Sequence, residues 1–446
     1  MTAGVFQKSA NPLSMNLEQK LQQLRNASRK SAAQAALEAE LDHLRRTARA
    51  PVKLPAQRAP HGIEEYVEGR ECTHPAGKYF LSSQSLPFGR PYGKLRIGDI
   101  AASDLTPLGI VGPALPDPAR LLYLDTETTG LAGGTGTCAF LIGIGMIRGA
   151  DFVVEQFFLR DYEEEKAVLS ALADILQNYD GLVTFNGKTF DVPLLETRYT
   201  LCRLRPPFAR LVHLDLLHPA RRLWKLRLES CRLTHLEEHI LGISRKGDVP
   251  GSDIPGIYFD YLRTGEARDL QPVFFHNAMD IVTLAALTVE AATVIRRARE
   301  GTALDSSPDS SIDLLCLSRI FEGAGESDQS LASCSRALAA GLPESLEPLA
   351  LWQIASQHKR RADFQRAEQI WLEIARSESP VAIEACRELA IHYEHRLRDA
   401  SKAIFFTDKA IALLGAAPSS AQKSQLQGFT HRRERLQRRL AAPALL

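Results

Sequence analysis

The sequence has almost no net charge, few cysteines and no export signal at its N-terminus. In 446 residues, 54 Lys and Arg balance 53 Asp and Glu, so the formal charge of +1 gives no global attraction to nucleic acid or membrane. The seven cysteines show no paired spacing typical of zinc or redox motifs, which favours reduced thiols. We find no apolar run that we expect to span a bilayer. These absences predict a soluble, cytoplasmic protein without a membrane partner.

The distribution of helix formers, Pro, Gly and apolar runs predicts five segments. The first contains Leu at three- and four-residue steps, which indicates an amphipathic helix. A helix packed on its own protein, a mobile arm and a short coiled coil all fit that pattern. The segments are a helical arm over 1–50, short strands and loops packing on the next domain over 51–117, an α/β domain over 118–300, helical repeats over 312–415 and a basic tail over 416–446.

The α/β domain is predicted from the order of its strands and helices. "RLLYLDTE" has no polar alternation, as expected of a central strand that is buried on both faces. "CAFLIGIGMIRG" and "DFVVEQFFLRD" follow as two strands joined by a hairpin-like turn, and helices then alternate with strands. This order predicts a mixed sheet flanked by helices.

The region after residue 312 is predicted to be helical and internally repetitive. Two stretches superpose with a period of 36, placing Asp363 on Asp399 and Ala367 on Ala403. Helical hairpins at this period resemble tetratricopeptide repeats, whose usual period is about 34. The resemblance implies a protein partner for this region, and a plain helical bundle packed against the first domain is the alternative. The tail "HRRERLQRRL" is expected to be an exposed, flexible end.

Two acidic residues at the end of the central strand are the first candidate site residues. Asp125 and Glu127 are two positions apart, so both side chains point to the same face of the strand. Two carboxylates this close repel each other unless a cation lies between them. Asp161 and Glu163 have the same spacing, but they precede a helix and are expected to be its solvated start.

Two later motifs complete the pattern. "TFNGKTFD" places Asn186 and Asp191 at a strand-to-helix junction, and "FFHNAMD" places His276 and Asp280 on one face of the last helix of the domain. Asp-x-Glu, Asn-x-x-x-Phe-Asp and His-x-x-x-Asp, in that order, resemble the motifs of the DnaQ-like (DEDD) exonuclease superfamily, which has a ribonuclease-H-like fold. The stretch from 121 to 290, with "LTHLEEHILGISRKGDVPG", resembles the YprB-type branch of ribonuclease-H-like domains.

The resemblance implies a site for two Mg²⁺ or Mn²⁺ ions, which prefer carboxylate oxygen. Asp125 would bridge both ions, Glu127 and Asp280 would hold the ion that binds the attacking water, and Asp191 would help to hold the other. His276 would be the general base. The sequence departs from the family in one respect, because His-type members usually place five positions between this base and the last Asp, whereas His276 stands at the four-position spacing of Tyr-type members. A substrate-contact role for His276 therefore stays open.

Candidate substrate contacts surround these residues, with alternatives for several. Asn186 could instead cap the following helix. The basic stretch from Arg203 to Arg232 could hold a phosphate backbone or could be a solvated helical face. Asp215 could be a fifth acid or a structural hydrogen-bond acceptor. "GLAGGTG" lacks the Lys of a phosphate loop and is expected to be a glycine turn near the metals. The candidates are Thr126, Thr128, Asn186, Phe190, Arg221 and Arg222.

The sequence thus predicts a metal-dependent nuclease acting on DNA or RNA, with 3′-to-5′ exonuclease activity. An endonuclease with the same site is the first alternative, because a fold does not fix which bond is cut. A repeat-bearing scaffold protein with a non-catalytic nuclease-like domain is the second. Such a scaffold would be expected to lose carboxylates, and here all four are present.

Overall fold

The structure is a computed structural model that describes residues 62–130, 136–304, 309–415 and 420–441. The predicted N-terminal arm lies outside the described residues. Most of the Gly-rich stretch, residues 131–135, also lies outside them, so its expected role as a turn stays a prediction.

A mixed sheet of seven strands lies at the centre of the first part of the chain. Its spatial order is β1-β2-β7-β6-β5-β8-β9. Strands β5, β8 and β9 are parallel, and all other neighbours pair antiparallel. Strands β3 and β4 form a separate ribbon. The bounds are β1 Arg70–His74, β2 Gly77–Pro87, β3 Pro91–Tyr92, β4 Leu95–Arg96, β5 Leu121–Thr128, β6 Ala139–Arg148, β7 Asp151–Phe158, β8 Gly181–Thr184 and β9 Val212–Asp215.

Helices cover this sheet and then continue without strands in the described C-terminal part. Those of eight or more residues are α1 Glu165–Leu176, α2 Asp191–Leu201, α3 Leu217–Trp224, α4 Ile254–Thr264, α5 Gln271–Glu300, α6 Ser310–Gly323, α7 Ser327–Ala339, α8 Glu347–Arg360, α9 Phe364–Ile374, α10 Val381–His395, α11 Ala400–Leu414 and α12 Ser420–Ala441. The predicted fold class, a mixed sheet flanked by helices followed by an all-helical region, is confirmed.

The strand that carries the acidic pair is central and its first half is fully buried. Leu121, Leu122, Tyr123 and Leu124 are each 0% exposed, as the uninterrupted apolar run predicts. The hairpin of β6 and β7 packs on one side of it. Strand β2 extends the sheet beyond this hairpin by pairing with β7, so the short-strand segment before residue 117 supplies part of the same sheet.

Helix α5 corrects the expectation that no apolar run could span a bilayer. The segment Arg268–Glu300 is long and apolar enough by length and composition, with a mean hydropathy of 1.7. However, 83% of its apolar window is buried inside the protein, and its side chains share a core with the sheet and with α6. A helix that is apolar all round is typical of a protein core as well as of a membrane span.

The repeat region has the internal correspondence that the period predicts. Asp363 and Asp399 each cap the N-terminus of a helix, accepting hydrogen bonds from the backbone N–H groups of Arg366 and Lys402 at 3.3 and 2.9 Å. Ala367 and Ala403 are both fully buried. Helices α8 to α12 share a core of their own, whereas α6 and α7 pack in the core of the sheet. The likeness to tetratricopeptide repeats stays a prediction.

The basic C-terminal stretch is helical, which corrects the expectation of a flexible end. It lies within α12, and Arg432 and Arg435 both form ion pairs with Glu394 of α10, at 2.6 Å for Arg432. The Glu394 side chain is only 4% exposed. A buried carboxylate requires a cationic partner, and the basic residues of the last helix supply it.

Candidate active site

The site lies at the carboxyl end of β5, against α2 and α5. β5 delivers Asp125 and Glu127, Asp191 is the first residue of α2, and Asp280 lies on α5 one turn after His276. The register of the sheet shifts between Glu127 and Thr128, where β5 separates from β6. Such irregularities are common beside active sites, since they redirect side chains at a strand end. The structure thus brings all five residues of the predicted catalytic set to one place.

The electrostatics of the carboxylates show how close they lie. Burial raises the pKa of Asp125 well above its ordinary value, and the charges of Asp280, Glu127 and Asp191 raise it further. Burial likewise raises the pKa of Glu127 to about 7, opposed by His276 and helped by neighbouring carboxylates. The pKa of Asp191 is raised to about 6, chiefly by burial. The site therefore holds an excess of negative charge in a partly buried place.

Asn277 orients the carboxylate of Asp125 and was not predicted. Its Nδ2 donates to Asp125 Oδ2 at 3.0 Å, while its Oδ1 accepts from Gln156 Nε2 at 3.0 Å. Asn277 is fully buried, and it fits because Gly143 faces Asp125 across β5 and β6. A Cβ at position 143 would stand 2.1 Å from Asn277 Oδ1. The orientation of Asp125 is therefore fixed from a neighbouring strand and from α5.

The two candidate threonines of β5 make hydrogen bonds inside the protein. Thr126 Oγ1 donates to Asp191 Oδ1 at 2.5 Å, which positions that carboxylate and opposes the rise of its pKa. Thr128 Oγ1 donates to the carbonyl oxygen of Gly130 at 2.9 Å and shapes the turn after β5. Their predicted contact with substrate stays a prediction.

The loop before α2 is fixed by Asp215 through backbone groups. Asp215 is 2% exposed and accepts from the backbone N–H groups of Asn186 and Lys188 at 2.7 and 3.1 Å. This favours the structural role of Asp215 over that of a fifth acid. The side chain of Asn186 does not cap α2, because the N-cap residue is Phe190 and no side chain caps that end. Phe190 itself is 53% exposed beside Asp191.

His276 lies between two acids. Its Nδ1 is 2.8 Å from Asp248 Oδ1, and its Nε2 is 3.5 Å from Asp280 Oδ2. Burial lowers the pKa of His276, but the charges of Asp280 and Glu127 and the hydrogen bond with Asp248 outweigh it, so the pKa is raised overall. Asp248 comes from the loop between residues 242 and 253, which carries no helix or strand.

The same loop supplies a buried arginine that binds the last carboxylate. Arg245 is 5% exposed, and its Nη2 lies 2.5 Å from Asp280 Oδ1 while its Nε lies 2.5 Å from Glu237 Oε2. Glu237 also accepts from Tyr92 and Thr283, at 2.9 and 2.8 Å. The guanidinium thus ties the loop to α5. Sequence reasoning missed Arg245 and Asp248, although both lie in "SRKGD", a polar stretch with no helical or strand periodicity.

Two predicted substrate-binding residues do not lie with the catalytic set. Arg221 and Arg222 are exposed on α3, and they line a cavity between α3 and α6. Neither guanidinium forms an ion pair with a carboxylate among the residues that the structure describes.

The donor set fits a hard divalent cation by its chemistry. Four carboxylates converge beside His276, and the repulsion between them is the condition that a bound cation relieves. Within the described ranges, however, no group of three or more His, Cys, Asp or Glu side chains is already arranged as a metal site. The carboxylates are instead engaged by Asn277, Thr126 and Arg245.

Comparisons with known proteins agree with this fold. A family model described as the RNase_H superfamily matches residues 122–292, the span that contains every carboxylate of the site. Uncharacterized protein YprB of Bacillus subtilis (strain 168) is 30% identical over 300 residues, covering 66% of this chain and 69% of that protein.

Among solved structures, the family B DNA polymerase from the hyperthermophilic archaeon Pyrobaculum calidifontis is 12% identical. The match covers 69% of this chain and 36% of the polymerase, with a TM-score of 0.33, which is too low to bear on fold or function. The superfamily match supports a function in nucleic-acid cleavage. On the identity and coverage shared with YprB, the chain belongs to the YprB family and contains a domain of the RNase H superfamily.

Proposed function

We propose that this protein is a metal-dependent nuclease that hydrolyses phosphodiester bonds of DNA or RNA, and that it works as a 3′-to-5′ exonuclease. One observation carries the proposal: burial raises the pKa values of Asp125, Glu127 and Asp191 in a single cluster, and the neighbouring carboxylates raise those of Asp125 and Glu127 further. A phosphodiester is also anionic, so this cluster would repel it unless cations were bound. The superfamily match supports nucleic acid as the substrate.

Asp125, Glu127, Asp191 and Asp280 would hold the cations, two ions of Mg²⁺ or Mn²⁺. Bound there, the ions would supply Lewis-acid stabilisation of the attacking and leaving oxygens of the phosphodiester. The protein would supply the orientation, since Asn277 and Thr126 already fix two of these carboxylates. Asp280 would share its charge between a cation and Arg245, its partner in the structure.

His276 would take the proton of the attacking water. Its Nδ1 faces Asp248, which leaves Nε2 as the atom that faces the site beside Asp280. A histidine that donates Nδ1–H to a carboxylate keeps Nε2 as the proton acceptor. The spacing of His276 on α5 therefore does not prevent the role of general base.

Substrate would be held by residues at the rim. Phe190 is exposed next to Asp191, where a nucleobase could stack on its ring. Thr126, Thr128 and Asn186 would contact the sugar or phosphate nearest to the cut. A protein partner for the helical repeats and a cytoplasmic location complete the proposal.

The test uses single-stranded DNA and RNA 20-mers labelled at the 5′ end, with Mg²⁺, Mn²⁺ or EDTA. The expected result is a ladder that shortens from the 3′ end, requires the metal and disappears in Asp125→Asn. Asp161→Asn is the matched control, because Asp161 and Glu163 have the same spacing but lie before α1, where Asp161 accepts a backbone hydrogen bond. Full activity of Asp125→Asn would refute the proposed site.

Circular single-stranded DNA and RNA distinguish exonuclease from endonuclease activity. An exonuclease leaves a circle intact, whereas an endonuclease opens it. Cleavage of circles would replace the exonuclease with the endonuclease while keeping the same site. No cleavage of any polymer, with metal and intact protein, would favour the scaffold.

A further inference from the structure

A cavity lined by positive side chains lies between α3 and α6. Its volume is about 410 Å³, and it is lined by Arg221, Arg222, Lys225, Leu226, Cys316, Arg319 and Ile320. Three of the four cations come from α3 and the residue after it, and Arg319 comes from the first helix of the C-terminal region. The cavity therefore exists only where the two parts of the chain meet.

These four cations have no carboxylate partners within the described part of the chain. Among the residues that the structure describes, none of these side chains forms an ion pair, and Lys225 Nζ donates to the backbone oxygen of Glu229 at 3.4 Å. Nearby cations behave differently: Arg227 pairs with Asp313 at 3.3 Å across the same junction, and Arg360 pairs with Glu322 at 2.9 Å. Like charges gathered in one place without counter-ions favour an anionic ligand.

An ion pair and a shared apolar core hold together the junction that bears the cavity. The side chains of Arg227 and Asp313 are 10% and 8% exposed, so their ion pair fixes the segment that follows α3 to α6. Leu223, Trp224, Leu314 and Leu317 pack in one core beneath it. The cavity is therefore preformed, which lowers the entropic cost of binding.

Its place in the chain connects it to the catalytic site. Helix α3 begins two residues after Asp215, which holds the backbone of Asn186 and Lys188 before α2. Arg222 follows Asp215 by seven residues, so at the rise of an α-helix it lies roughly 10 Å further along. Strand β9 is the second neighbour of β5 in the sheet, which adds roughly 10 Å between Asp215 and the acidic strand. A few nucleotides of nucleic acid can bridge the two steps together.

We infer that this cavity binds the phosphodiester backbone of the nucleic-acid substrate, a few nucleotides away from the bond that is cut. Arg guanidinium groups match phosphate oxygens in geometry, and each phosphate neutralised by Lys or Arg releases counter-ions. Leu226 and Ile320 provide apolar contact for the sugar. The C-terminal helices thereby contribute directly to substrate binding through Arg319. This inference rests on the proposed nuclease function for its choice of ligand.

The experiment measures binding of fluorescein-labelled single-stranded DNA and RNA 20-mers by anisotropy, in EDTA, with full-length protein. The double variant Arg222→Ala/Arg319→Ala is expected to weaken binding about tenfold and to reduce the salt dependence of log K by about 2. The control is Arg296→Ala/Arg433→Ala, which removes two exposed arginines that are paired with Glu300 and Asp408. It should leave both quantities unchanged.

The possible results distinguish failure of the inferred binding site from failure of the proposed nuclease function. Unchanged affinity and salt dependence in the double variant, or no binding by the wild type, would overturn it. Competition by polyglutamate as strong as that by unlabelled oligonucleotide would also overturn it, in favour of an acidic protein partner. If the wild type binds through these residues but never cleaves, the inferred site stands and the nuclease function fails. In an active enzyme, KM should rise in the double variant while kcat stays unchanged.

Discussion

Nδ1 of His276 lies 2.8 Å from Oδ1 of Asp248, a carboxylate that precedes it by 28 residues and comes from a loop without regular structure. The contact fixes which ring nitrogen faces the other carboxylates. It also ties the loop to α5 at the same place where Arg245 binds Asp280. A short polar stretch, rather than a helix or strand, thus orients the proposed general base.

Removing this carboxylate should impair turnover more than binding. We expect Asp248→Ala to lower kcat about 10- to 100-fold with little change in KM, because the ring of His276 loses the partner that orients it. Steady-state kinetics on a 20-mer would measure both constants. Asp248→Glu should recover part of kcat, whereas Asp260→Ala, which removes an exposed carboxylate paired with Arg263, should be neutral. An equal loss in both alanine variants would contradict the positioning role.

Asp125→Asn should abolish activity and yet stabilise the metal-free protein at alkaline pH. The pKa values of Asp125 and Glu127 are raised, so the folded state holds more protons than the unfolded chain up to about pH 7. Stability is therefore lost as pH rises through that window. The amide removes one repelling charge and can still accept from Asn277.

The free energy of unfolding of metal-free Asp125→Asn should exceed that of the wild type by about 1 kcal/mol at pH 8. The difference should vanish near pH 4, where the carboxyls are protonated. Thermal unfolding in EDTA at several pH values measures it. A lower apparent Tm of the variant at pH 8 would show that the carboxylates do not repel one another as described.

Cation binding should strengthen as pH rises from 6 to 8. Protons compete with the metal for Glu127, whose pKa is about 7, and for Asp191, whose pKa is about 6. We expect the Kd for Mg²⁺ to fall at least about tenfold over this range. Calorimetric titration measures the Kd, and removal of the metal with EDTA should reverse any gain in Tm. A Kd that is independent of pH would place the cation elsewhere.

Arg245→Met should destabilise the fold strongly. The substitution leaves Glu237, which is 1% exposed, without its counter-ion, and loss of one partner of a buried pair costs about 3 to 5 kcal/mol. Chemical denaturation measures the loss. Adding Glu237→Gln should restore part of it, because the amide oxygen can still accept from Tyr92 and Thr283. Arg263→Met, at an exposed pair, should have almost no effect.

Local sequence patterns predict those parts of the fold that depend on residues close together in the sequence. The apolar run of β5, the hairpin of β6 and β7 and the acidic pair at the strand end all follow from short-range patterns. The structure also gathers His276 and Asp280 with that pair, as the motif order predicts.

Contacts between distant segments are not visible in such patterns. Arg245 meets Asp280 across 35 residues, and no local pattern distinguishes it from the neighbouring Lys246. The sequence of the basic tail predicts a flexible end, because the buried carboxylate that binds it, Glu394, lies on another helix. Asn277 stands next to His276 in the motif, but its role depends on the absence of a side chain at Gly143 in another strand.

Alanine substitutions at two glycines of β6, Gly143 and Gly145, should have different effects on catalysis and on stability. A Cβ at position 143 would meet Asn277 Oδ1 at 2.1 Å, whereas one at position 145 would meet Ile281 Cγ2 at 2.4 Å and Phe152 at 2.6 Å. Gly143→Ala should push Asn277 away from Asp125 and lower kcat at least about tenfold. Gly145→Ala should destabilise the core by about 1 to 3 kcal/mol and leave kcat of the folded fraction near the wild-type value.

Multiple-turnover cleavage at saturating substrate, normalised to the folded fraction at 20 °C, gives kcat for both variants. Because both substitutions add one methyl group to the same strand, a general loss of stability would affect them alike. Only a hydrogen bond that orients the carboxylate makes position 143 special. Equal kcat values in the two variants would therefore mean that the contact between Asn277 and Asp125 does not contribute to catalysis.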